Sequence, residues 1–204
     1  MKPINKEMNV YFWVSSPKAS CFYPKDRDNE LWDQLLSSGT PLPAPDKWYP
    51  LVMSEFEMVS TAANRSLPLA DVVSGPDFLI LNAKSRELFG KVLTTNGAFF
   101  PIIIEYGDDT LDEYSIFMCT NIVDCLDYER SKGTRRIRDN SGFSSVHEAV
   151  FIEEKVGDNI VFVLPDCPKG QIFVTEQFKQ LVKTEGITGV SLTRSLYDLH
   201  PWQS

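Results

Sequence analysis

Residues 160–192 read IVFVLPDCPKGQIFVTEQFKQLVKTEGITGVSL, and the pattern of apolar residues changes character several times within them. Residues 160–164 form an unbroken apolar run of strand length. Pro165 to Gly170 turns the chain, and Ile172, Phe173 and Val174 make a second short strand. Thr175 then stands at a cap position before a helix whose inward residues are Phe178, Leu181 and Val182, and Gly186 ends it. Residues 189–192 read as a last strand.

The same grammar extends upstream. Residues 78–81 read as a buried strand, and Asn82 caps a helix whose buried stripe is Leu88, Phe89, Val92 and Leu93 and which ends at Asn96-Gly97. Residues 99–104 form another strand, where Pro101 predicts an edge position or a bulge. Gly107, Asp108, Asp109 and Thr110 make a turn, and with the strand over 114–119 they read as a hairpin with an acidic tip. Residues 121–128 continue as a second apolar stretch, residues 130–142 read as a polar loop, and residues 150–152 as a strand. Nearer the start, residues 10–14 form a strand and residues 15–25, with Pro17 and Pro24, a loop. Asp28-Asn29 caps a helix with Leu31, Trp32, Leu35 and Leu36 on one face and Gly39 behind it. Pro41, Pro43 and Pro45 block helix and ladder and act as a stiff connector. Residues 48–58 alternate as a strand with one wet face.

Strands interleaved with a few short helices, without regular strand–helix alternation, predict an α+β fold: a mixed, largely antiparallel sheet with short helices packed against it. The 204 residues allow one large unit. We divide them into a strand–helix extension with its Pro-rich connector over 1–60 and an α+β body over 61–204.

Composition narrows the function by exclusion. Twenty Lys+Arg against twenty-eight Asp+Glu give a net charge of −8, which disfavours nucleic acid and anionic membranes as partners and favours a basic one. No apolar run is long enough to span a bilayer, and the start of the chain lacks a signal-peptide pattern, so a cytoplasmic location is expected. Cys21, Cys119, Cys125 and Cys167 read as free thiols. There is no nucleotide-binding glycine pattern, no H-E-x-x-H and no G-x-S-x-G, so neither a cofactor nor a metal is expected.

Several clusters offer groups that could carry chemistry. Asp124, Asp127 and Glu129 offer carboxylates for acid–base work, and His147 offers a partner to Cys119 or Cys125, together the basis of an alternative reading as a small hydrolase. The simpler reading pairs those acids with the neighbouring cations Arg130, Lys132, Arg135, Arg136 and Arg138. The proline strip suggests a further alternative, an adaptor module. Asp108, Asp109, Asp112 and Glu113 are the most protruding acids of the hairpin, and they are the candidate partner-binding residues.

Three blocks carry a family resemblance. They are LADVVSG over 69–75 leading into FLILN over 78–82; YSIFM over 114–118, NIVDCLD over 121–127 and Ser131; and IVFVLP over 160–165, IFVTE over 172–176 and GITGV over 186–190. Together they resemble immunity protein family 11 of bacterial polymorphic toxin systems, over about residues 66–195. Residues 130–142 are more basic than the family pattern. The resemblance implies a non-catalytic antidote that binds and neutralises a cognate secreted toxin domain. It carries over no catalytic, cofactor or metal residue.

Overall fold

Strands that are apolar at consecutive positions must bury both faces, and here neighbouring residues of one strand enter different cores. Trp13, Leu81 and Phe117 belong to one hydrophobic cluster, while Ile80 and Ile116 belong to a second and Phe12 to a third. The computed structural model describes residues 8–16, 20–37, 40–55, 69–75, 78–136 and 142–199. In chain order it contains β1 (Val10–Ser15), β2 (Phe22–Pro24), α1 (Glu30–Leu36), a 3₁₀ turn (Pro45–Lys47), β3 (Leu51–Glu55), β4 (Val72–Ser74), β5 (Leu79–Leu81) and α2 (Ala83–Asn96). There follow β6 (Gly97–Tyr106), β7 (Asp109–Leu111), β8 (Ser115–Cys119), β9 (Lys132–Arg135), β10 (Phe143–Glu148), α3 (Glu153–Val156), β11 (Val161–Phe162), β12 (Ile172–Thr175), α4 (Glu176–Glu185), β13 (Val190–Thr193) and a 3₁₀ turn (Leu196–Leu199).

The large sheet has the order β2-β3-β6-β8-β5-β4, with β7 added to β6. A four-stranded sheet runs β11-β12-β1-β13, and β9 and β10 form a separate hairpin. Every strand pair is antiparallel except β3 with β6. The fold is therefore mixed, mostly antiparallel α+β, as expected. The first core fills the space between the two sheets, where Phe89 and Leu93 of α2 and Phe178 of α4 meet Trp13 and Phe117. The second lies on the other face of the large sheet, under Leu31, Trp32 and Leu35 of α1. The third lies beyond the small sheet, where Phe12, Phe162 and Phe173 meet Phe143 and Val146 of β10. β1, from the start of the chain, is paired on both flanks by strands from its end.

Local chemistry sets the helix ends. Asn29 and Asn82 accept the backbone N–H of Leu31 and Ser85 through their side chains, each cap contributing about 1 kcal/mol. Gly186 closes α4 in the left-handed conformation, φ 61°. Thr175 stands at the cap position of α4, but its side chain makes no cap bond.

Several local expectations are corrected. The polar stretch 130–142 contains β9, which pairs with β10; its side chains are polar and largely exposed, so no alternation marks it. The loop over 15–25 contains β2, which tolerates Pro24 because it is the sheet edge. Pro101 lies within a central strand. The proline is accommodated because the β3 ladder starts only at Ile102, and the free Pro101 carbonyl accepts from Trp48 Nε1 at 2.8 Å. Residues 150–152 make a single bridge, Leu126 to Phe151, before α3 begins. Leu88 is exposed, because α2 turns Ser85, Phe89 and Leu93 inward and the Ser85 hydroxyl donates to the Asp71 carbonyl. Gly39 and residues 56–58 lie outside the described residues.

Candidate interaction surface

The acidic tip is built by a two-residue turn. Tyr106 pairs with Asp109, and between them Gly107 adopts φ 60°, a left-handed conformation that favours glycine. Asp108 and Asp109 are exposed at this turn, and Asp112 and Glu113 are exposed in the link from β7 to β8. The two acid pairs thus lie at the two ends of β7, about 10 Å apart by strand rise. None of the four carboxylates forms an ion pair with a described residue. The Glu113 carbonyl accepts from Arg86 at 3.1 Å.

The basic stretch behaves differently, because its charges are engaged within the chain. Arg130 donates to Asp127 at 2.7 Å, Lys132 pairs with Glu148 at 2.7 Å, and Arg135 lies 4.4 Å over the ring of Phe143. Arg136 donates to the Asp166 carbonyl and lies 3.9 Å from its carboxylate. Arg138 is outside the described residues.

Most of the candidate catalytic groups are engaged within the fold. Asp127 accepts the backbone N–H of Glu129 and of Arg130 as well as the Arg130 side chain, and these bonds hold its carboxyl below the usual range. Asp124 is 3.9 Å from Lys155. His147 approaches Tyr197 Oη at 3.0 Å and Thr134 Oγ1 at 3.4 Å, with no cysteine among these partners. All four thiols are free, and burial pushes each one up, Cys119 and Cys125 to about 12. A thiol held that way is a poor nucleophile at neutral pH. No group of three or more metal-ligating side chains occurs among the described residues. A surface cleft of about 810 Å³ is lined by Val10, Asp127, Arg130, Phe151 and Glu154 among others, and its ionic pair is the one already described.

Residues of the first and third sequence blocks meet instead in a structural knot. Asp71, from the first block, accepts the backbone N–H of Thr188 at 2.9 Å and its hydroxyl at 2.8 Å, from the third. The same carboxylate takes Asn82 Nδ2 and Lys84 Nζ, both at 3.1 Å. Burial works against the charge, but the donors from Thr188, Asn82 and Lys84 outweigh it, so Asp71 titrates below its ordinary value. Next to it Gly189 has φ 81°, and a Cβ there would collide with the Val72 carbonyl. From the second block, Asn121 donates its amide to Asn96 and Asn159 at 2.9 Å, and its carbonyl accepts from Val163. Ser131 bonds both N–H and C=O of Val150.

The sequence profile of the Immunity protein family (Imm11) matches residues 20–195, most of the chain. The chain belongs to the Imm11 family. The match begins well before residue 66 and takes in β2, α1 and β3, which the three blocks alone did not cover. Imm11 membership points to an immunity protein directed against a toxin. The knot joins residues of the first and third blocks, and the exposed acids at the ends of β7 lie outside all three. No curated protein matches the chain. Among the described residues, no helix of this Imm11 protein is long and apolar enough to cross a membrane.

Proposed function

We propose that this Imm11 protein neutralises a cognate secreted bacterial toxin by stoichiometric binding in the cytoplasm of the cell that makes it, performing no chemistry of its own. The observation that carries this reading is the family match over residues 20–195. The internal use of Asp127, His147 and the thiols supports it, since the candidate catalytic groups are engaged or poorly nucleophilic. A toxin that acts catalytically must be almost fully occupied, which demands nanomolar or tighter affinity, about −12 kcal/mol or better. An interface of about 1,600 Å² supplies that when it contains a few buried anchors.

The unpaired acids Asp108, Asp109, Asp112 and Glu113 are the partner-facing charges in this reading. With a net charge of −8 behind them, they steer a basic toxin domain toward the β6–β7 hairpin and speed encounter. The test is protection in cells. The C-terminal domain of the polypeptide encoded upstream of this gene is expressed alone and together with the chain. Growth arrest by the domain, relieved by co-expression, is the expected outcome. Arrest that persists at equal expression of both proteins sinks the reading.

A further inference from the structure

α1 roofs the second core with Leu31, Trp32 and Leu35 and leaves Glu30 and Asp33 in solvent. The chain then returns over the same core. Leu42 and Trp48 pack on it, and Trp48 is fixed by its bond to the Pro101 carbonyl and by the ring of Phe100 at 4.8 Å. The next residue, Tyr49, is 53% exposed, yet its ring is held in place. Asn29 Nδ2 donates to the Tyr49 hydroxyl at 2.7 Å, while Asn29 Oδ1 accepts the N–H of Leu31 at 3.0 Å. One side chain thus caps α1 and stands Tyr49 beside its first turn. Pro45 and Pro50, on either side of Tyr49 in sequence, are exposed as well.

A tyrosine presented this way offers a partner a large amphipathic surface with little side-chain entropy left to lose. The charge around it has one sign in excess. Asp26, Asp28, Glu30, Asp33 and Asp46 are all exposed, and none forms an ion pair with a described residue. Over residues 26–49 the only cations are Arg27 and Lys47, and Arg27 lies over the ring of Tyr23 at 5.6 Å. Asp109 projects on the same side of the large sheet, because it pairs with Tyr106, which packs on the second core. An aromatic centre with a charged border matches the anatomy of a protein interface, in which buried anchors supply affinity and rim charges supply rate.

We propose that the outer face of α1 and the adjoining segment 45–50 is where a basic surface of the toxin domain seats, with Tyr49 as the anchor and the surrounding acids as the rim. The inference rests on the immunity reading above and adds the seat to it, the hairpin acids acting in the encounter that precedes it. Charge complementarity selects the occupant: a second copy would bring the same acids against themselves and is repelled, whereas a cationic polypeptide is attracted.

The experiment uses the full chain and an inactivated form of the upstream-encoded toxin domain, with binding followed by surface plasmon resonance and folding checked by circular dichroism. Tyr49→Ala is expected to weaken binding by about tenfold or more, chiefly by faster dissociation, and Tyr49→Phe, which keeps the ring, to restore most of it. Asp28→Asn, Glu30→Gln and Asp33→Asn together are expected to slow association about tenfold at low salt. Glu153→Gln, Glu154→Gln and Asp158→Asn together remove the same charge at and beside α3, from side chains that are also exposed, and are expected to leave the rate within about twofold. Wild-type binding that Tyr49→Ala leaves unchanged, or equal slowing by the two triple variants, overturns the assignment of the face while leaving the immunity reading intact. Absence of wild-type binding overturns the immunity reading, and this assignment with it. A concentration-dependent dimer of the chain alone that Tyr49→Ala abolishes overturns the assignment in favour of self-association.

Discussion

The Asp71 carboxylate holds Thr188 by two bonds, from the backbone N–H at 2.9 Å and from the hydroxyl at 2.8 Å, across 117 positions of sequence. This pair ties the residue just before β4 to the turn just before β13. The backbone adds to the tie: Val72 N–H donates to the Thr188 carbonyl at 3.1 Å and Asp71 N–H to its hydroxyl at 2.9 Å.

Asp71→Ala strands the donors of Thr188, Asn82 and Lys84 and is expected to cost about 3 kcal/mol of stability at pH 7, read by urea denaturation. The effect depends on pH with a definite sign. Because the folded carboxyl titrates below its unfolded value of about 3.9, its contribution is fully present above pH 4 and is lost as pH falls through the folded value. The gap between wild type and Asp71→Ala is therefore expected to narrow below pH 4. A gap that is constant from pH 7 to pH 3 counts against the charged carboxylate as the source of the stabilisation.

Gly189 serves the same knot by close approach. Gly189→Ala sets a Cβ against the Val72 carbonyl at a left-handed φ of 81°, and a loss of about 2 kcal/mol or more is expected in thermal or chemical denaturation. By contrast, Gly90→Ala in α2, where nothing lies within 4 Å, is expected to be neutral or slightly stabilising. Equal behaviour of the two variants would contradict the close contact.

The thiols give a third check. With Cys119 and Cys125 pushed up to about 12 by burial, roughly 10⁻⁴ of each is thiolate at pH 8. Iodoacetamide is expected to label half-exposed Cys21 first and the others slowly, with all four reacting after denaturation without reductant. Rapid labelling of Cys119 or Cys125 in the native protein would point to a local environment other than the one described.

Charge reversal of Asp108, Asp109, Asp112 and Glu113 to Lys tests their steering of the toxin. Toxin association is expected to slow by about tenfold or more at low salt, and the decline of the wild-type rate with salt to flatten or invert in the variant. Thermal stability is expected to change little, because these side chains are exposed and form no ion pair with a described residue. Unchanged association kinetics at low salt would remove the four acids from the encounter surface.

Much of this was legible where local physics decides. The caps at Asn29 and Asn82, the left-handed stop at Gly186, and the apolar runs of β1, β8 and β12 each follow from a few adjacent residues. The exposure of Asp108 and Asp109 followed from the turn between two strand patterns. What stayed hidden depends on partners distant in sequence. β9 has no apolar alternation and exists because β10 pairs with it while Phe143 and Val146 anchor in the third core. Asp71 reads as one more surface acid until Thr188 is folded against it.

The most direct measurement titrates the activity of the purified upstream-encoded toxin domain with this chain, at toxin concentrations well above the dissociation constant. Complete inhibition with a sharp break at one equivalent is the expected result. Inhibition that proceeds with time at substoichiometric chain, or a toxin product altered by the chain, would show turnover rather than occupancy and would contradict the stoichiometric mechanism.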